Sequence, residues 1–154
     1  MKIITALILI GSALASCTMK PENPLGSKTP SPIVGTWQLI SGTTIEKGDT
    51  VITDYTKKLS FIKIINDTHF AFLKHDLKKG KDTTAVFEAG GGRYSLTDSV
   101  YTEHLQFCND RAWEGNDFTF HIVIQNDSLT QTGVEKVEKI NIDRLNIERY
   151  VRVK

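Results

Sequence analysis

The chain has 154 residues, 40% apolar and 24% charged, with a formal net charge of +1. That length suits one domain with a single core beyond a short leader, and the near balance of charge excludes a global basic field of the kind that draws a protein to nucleic acid. Two cysteines, Cys17 and Cys108, allow at most one disulfide.

At the start, Lys2 precedes an apolar run that ends in small residues before Cys17. This pattern predicts a secretory signal, too short to span a membrane as a stable helix. Leu14-Ala15-Ser16-Cys17 resembles a bacterial lipobox. The resemblance implies cleavage after residue 16 and acylation of the Cys17 thiol, which would leave Cys108 alone. Acyl chains of that kind anchor stably, so the expected place is the cell envelope, held by lipid on the outer membrane and facing the periplasm. Residues 17–32 then form the acylated cysteine and a disordered tether, which holds all four prolines of the chain. At roughly 3.1 Å per residue such a linker reaches a few nanometres.

The body, residues 33–154, reads as short strands separated by turn chemistry. Residues 33–41 form the first, with Gly35, Trp37, Leu39 and Ser41 on one face. Gly35 admits a close backbone, and Trp37 brings an indole N–H that needs a partner if buried. Residues 58–66 follow, and Asn66-Asp67 turns into a strand over 68–73. A polar loop leads to residues 84–95, a strand broken by three glycines. Further strands are expected over 100–107, 118–124, 129–132 and 144–153, with at most one helical turn in 134–142. The prediction is an all-β domain, an eight-stranded antiparallel up-and-down barrel. Its two-residue turns are too short for the crossovers of an immunoglobulin-like sandwich.

Gly35-Thr36-Trp37 on the first strand and Tyr150-Val151-Arg152 on the last resemble the Gly-x-Trp and closing arginine of lipocalin-like (calycin) barrels. Gly90-Gly91-Gly92-Arg93-Tyr94 with Tyr101-Thr102-Glu103 is similar to the central block of small bacterial lipocalin-like lipoproteins, and the likeness spans residues 33–154. It implies closure of one end by Arg152 packed across Trp37, and a lumen that holds a small, largely apolar or amphipathic ligand. The candidate lumen residues are Phe70, Phe72, Tyr94, Tyr101, Glu103, Phe118 and Phe120. No clear C-terminal helix follows the last strand, unlike secreted lipocalins.

Glu103 shares the apolar parity of Tyr101, Leu105 and Phe107, where a carboxylate needs a partner. It either orients a polar ligand group or pairs with Arg149 or Arg152 to fix register. On the last strand Leu145, Ile147 and Val151 share one parity and Tyr150 and Arg152 the other, which either a bulge or the barrel end would explain. The four histidines, His69, His75, His104 and His121, have no metal spacing, so neither metal nor cofactor is expected. The glycine run predicts bending or close approach rather than a phosphate loop. Loop 108–115 carries Arg111 and Trp113, residue types that dominate partner contacts, and Trp113 either faces a partner, covers the open end or tucks onto the barrel. Lys74, Lys78, Lys79 and Lys81 form a basic hairpin that either touches anionic lipid or is simply solvated. Asp49-Thr50-Val51, Asp82-Thr83-Thr84, Asp98-Ser99-Val100 and Asp127-Ser128-Leu129 resemble acceptors of envelope glycosylation, a triplet also ordinary at turns.

No nucleophile–base arrangement assembles, so the chain is not expected to be an enzyme. The expected function is a lipid-anchored envelope protein that holds a small apolar ligand in its lumen. The alternative is a protein-interaction or hydrolase-inhibitor module that works through its rim loops.

Overall fold

The computed structural model describes residues 30–154 except residue 82; the expected signal, Cys17 and the expected tether up to residue 29 lie outside them. Nine antiparallel strands form one sheet: β1 (Gly35–Glu46), β2 (Asp49–Asp54), β3 (Leu59–Ile65), β4 (His69–Asp76), β5 (Phe87–Thr97), β6 (Val100–Cys108), β7 (Asp117–Gln125), β8 (Ser128–Val137) and β9 (Ile142–Arg152). Pairing of β1 with β9 closes β1 and β3–β9 into an eight-stranded barrel. A single 3-10 turn, Glu138–Ile140, precedes β9.

Strand β2 was not expected. Lys47 and Gly48 both adopt positive φ, 52° and 90°, as a two-residue hairpin loop of the twist-matching kind requires. The first strand therefore runs five residues beyond the expected Ser41 and folds back as a flap. Along one edge β1 pairs with β3 over residues 35–38, Ile40 accepts the Tyr55 amide, and residues 41–46 pair with β2. The short turns after β5 and β7 behave similarly, with Asp98 and Asn126 at φ 54°.

Two bulges correct the expected faces. In β1 the register slips between Leu39 and Ser41, so Trp37, Leu39 and Gly42 are buried and Ser41 is not on their face. In β6, Leu105 opposes Gly92 whereas Phe107 opposes Gly91, and the extra residue sends Phe107 outward. Of the two explanations for the change of face in the last strand, a bulge is absent from β9. Instead Arg144, Asn146, Glu148, Tyr150 and Arg152 all share the inner parity, and Leu145, Ile147 and Val151 lie outside. Strand β3 is inverted in the same sense, with Lys63 inside between Phe61 and Ile65 while Ile62 and Ile64 face out.

At the closed end Trp37 is fully buried and its indole N–H donates to the Ile33 carbonyl at 2.8 Å. The Arg152 guanidinium lies 4.1 Å over the Trp37 ring and donates to the Val34 and Pro32 carbonyls at 2.8 and 2.6 Å. This is the closure expected from the Gly-x-Trp pattern, worth about 1–2 kcal/mol for the stacked cation. Gly35 is required because a Cβ there would run into Arg152.

Candidate functional site

Between the closed end and the mouth, the barrel interior holds ionised groups among aromatic rings. Lys63 Nζ donates to Glu103 Oε1 at 2.7 Å and to Gln131 Oε1 at 3.2 Å, with Glu148 Oε2 3.8 Å away. The Tyr150 hydroxyl donates to Glu148 at 2.6 Å. Nearer the mouth Arg144 Nε donates to Glu135 Oε2 at 2.7 Å, and Asn146 donates to the other oxygen at 2.8 Å. Glu103 thus pairs with Lys63 rather than with Arg149 or Arg152. Strand parity shows that a side chain points inward, but not which strand it meets across the lumen.

In this network the carboxylates Glu103, Glu135 and Glu148 face the cations Lys63 and Arg144. Burial pushes the Glu103 carboxyl up, against the pull of Lys63, and does the same to Glu135 against Arg144. Burial works against the Lys63 ammonium, yet Glu103 and Glu148 hold it above the ordinary lysine value. Burial and Glu148 push the Tyr150 hydroxyl well up, and burial with Glu103 does so for Tyr101. The Tyr101 hydroxyl is wholly buried beside this network and faces Glu103, its neighbour in the lumen.

The mouth is aromatic. Phe61 stacks on Phe72 with ring centres 5.7 Å apart, and Tyr55, just after the flap, meets Phe61 edge-on at 5.9 Å. Burial and Glu148 raise the Tyr55 hydroxyl to about 12. Lys74 belongs here and not to an exposed basic hairpin: it points inward, pairs with Glu88 at 2.8 Å and lies 6.0 Å from the Tyr55 ring centre. Its inner parity with Phe70 and Phe72 on β4 determines this.

Of the expected lumen residues, Phe70, Tyr101, Glu103, Phe118 and Phe120 are buried and packed, and Phe72 and Tyr94 are half-buried. Tyr94 stands at the closed end, donating to the Asn66 carbonyl at 2.8 Å. Lys63, Gln131, Glu135, Arg144, Glu148 and Tyr55 escaped the sequence reading. The available signal was parity: Lys63 alternates with Phe61 and Ile65, and Glu148 with Tyr150.

Beyond β6, Trp113 packs against Phe118 at 5.7 Å and under Arg144 at 5.2 Å, so it tucks onto the barrel. Arg111 stays exposed and pairs with Glu114 at 3.1 Å. Surface hollows of about 430 and 380 Å³ flank this loop, one against Lys136, Glu138 and Lys139 and the other against His104 and Gln106. His104 pairs with Asp117 at 2.8 Å. No three His, Cys, Asp or Glu side chains among the described residues converge as a metal site.

No family model matches this chain, and no curated protein does. Among solved structures, an uncharacterized protein from Bacteroides eggerthii, with a crystal structure at 2.60 Å resolution, is similar at a TM-score of 0.47 and 12% identity; the match covers 78% of this chain and 98% of that one.

Proposed function

We propose that this protein is a lipid-anchored component of the bacterial cell envelope whose barrel takes up a small amphipathic molecule through its aromatic mouth. Cys17 carries the anchor. The polar group of the ligand meets Lys63, Glu103 and the Tyr101 hydroxyl, and its apolar part lies among Phe61, Phe70, Phe72, Phe118 and Phe120. Tyr55 is the plug that the ligand displaces, since it follows a flap paired with β1 alone. One observation carries this reading: a buried Lys63–Glu103 pair beside the buried Tyr101 hydroxyl inside an aromatic barrel. Well-packed apolar residues of similar size would stabilise the fold as well or better, so the network is more readily understood as a recognition device. Binding without catalysis fits the lack of any nucleophile–base arrangement in the sequence.

Native mass spectrometry of the full chain, purified gently from its host and released from lipid by mild detergent, tests the proposal. A stoichiometric small molecule is expected, lost in Phe72→Ala and Glu103→Gln and retained in Trp113→Ala. Retention by all three variants, or an empty barrel, overturns it. The hollows lined by Glu114 and Asn116, with exposed Arg111 paired to Glu114, support a second reading, an interaction module working through loop 109–116. Under that reading Arg111→Ala abolishes capture of a protein partner and the lumen variants do not.

A further inference from the structure

The outer wall of β3–β6 is apolar where a solvated barrel would be polar. Ile64, Leu73, Phe87 and Phe107 are 42%, 41%, 65% and 68% exposed. The ladder makes them one surface. Ile62 opposes Leu73, which opposes Ala89; Ile64 opposes Ala71, which opposes Gly91, which opposes Phe107. Phe87 stands on the next row, opposite His75. Large exposed apolar patches mark surfaces that something covers. Other outward apolar residues, among them Val51 and Ile52 on the flap and Val134 beside Leu145, are exposed too, but they are aliphatic and lack rings of this size.

Charge around the patch is one-sided. The outward positions of β3, β4 and β5 carry His69, His75 and Arg93 and no carboxylate; Glu88 and Asp76 belong to the inner parity. On the adjoining rim, Lys58, Lys79 and Lys81 are exposed, and exposed Leu77 is tied by its amide to the Lys58 carbonyl at 2.9 Å. At this edge Glu88 is half-exposed but neutralised by Lys74, and Asp110 is the nearby exposed acid. Phenylalanines and leucines set beside an excess of lysines are the composition of a surface that enters the headgroup boundary of an anionic bilayer.

We infer that the outer face of β3–β6 docks flat on an anionic membrane surface, with Phe87, Phe107 and Leu77 at the acyl boundary and Lys58, Lys79 and Lys81 among the headgroups. This goes beyond the lumen reading and does not depend on it. Docking of this kind would hold the barrel in one orientation, where a tether alone leaves it free to turn.

The test uses the full chain on vesicles of phosphatidylcholine with phosphatidylglycerol, and of phosphatidylcholine alone, each containing brominated acyl chains that quench indole. Phe107→Trp reports the patch and Thr130→Trp, outward on β8, reports the far wall. The native Trp37 and Trp113 are common to both. On the anionic vesicles the indole introduced by Phe107→Trp is expected to be quenched and the one introduced by Thr130→Trp spared. Lys58→Glu and Lys79→Glu are each expected to weaken that quenching roughly fivefold in lipid titration. Equal quenching at the two sites, or none at either while the protein co-sediments through its anchor, overturns the inference, as does failure to co-sediment. Shielding of the Phe107→Trp indole from aqueous iodide without quenching by bromine assigns the face to a second copy and also overturns it.

Discussion

Lys63 and Glu103 stand forty positions apart in sequence and 2.7 Å apart in the barrel, and their surroundings make them unequal. Removing the cation by Lys63→Met leaves Glu103 and Glu148 close together without compensation, an expected loss of about 3–5 kcal/mol. Removing the anion by Glu103→Gln leaves Lys63 with Glu148 and an amide oxygen, and is expected to cost less than about 2 kcal/mol. Urea unfolding of the two variants measures the difference. The same groups set the response to pH. Glu103 and Glu135 hold their protons more tightly folded than unfolded, so their contribution to stability falls as pH rises from the ordinary glutamate value of 4.5 through the raised folded value. Lys63, Tyr101 and Tyr150 are raised too, so stability falls again where the unfolded chain releases those protons, above about pH 10. Thermal melts across pH are expected to show a decline from mildly acid toward neutral conditions, flattened in Glu103→Gln. The inward carboxylate was legible in the sequence from its parity with Tyr101 and Leu105. Its partner was not, because Lys63 sits between isoleucines that draw the eye to the wrong face.

Among the elements, the glycine run of β5 shows what a strand junction demands. A Cβ on Gly92 would collide with the His104 carbonyl and meet the Gln106 amide nitrogen at 2.8 Å, both fixed backbone atoms at the β6 bulge. Gly92→Ala is therefore expected to cost about 3 kcal/mol or to prevent folding. Gly80→Ala, in open space at φ +72°, is expected to cost about 1–2 kcal/mol from backbone strain alone. Differential scanning calorimetry ranks the two. Close approach was legible from three consecutive glycines in a strand, as were the turns at Asn66, Asp98 and Asn126. The flap was missed because its strand is rich in Thr and Asp and its turn is Lys-Gly, a weaker signal than Asn-Gly. The bulges at Ile40 and Gln106 carry no mark in composition, yet each reverses the parity of everything beyond it.

For the whole molecule, the eight-stranded barrel and the Trp37–Arg152 closure were both readable, because Gly-x-Trp and the final arginine bracket the body and short turns dictate a meander. What sequence alternation could not reveal is that two strands are turned inside out, with Lys63, Asn146 and Glu148 in the lumen and isoleucines on the wall. Closure has a mechanical side as well. Strand β1 leaves the closed end and β9 returns to it, so a pull on Ile33 against a pull on Lys154 loads the ladder from one end and peels it instead of shearing it. The first rungs under load are the Val153 amide on the Thr36 carbonyl and Trp37 opposite Arg152, whose guanidinium stacks on the indole and donates to the Val34 and Pro32 carbonyls. In an optical trap the wild type is expected to give one small rupture there followed by progressive unzipping, and Arg152→Ala to lose the initial rupture. A barrel held by its front end while its tail is tugged would be only as strong as that single clasp.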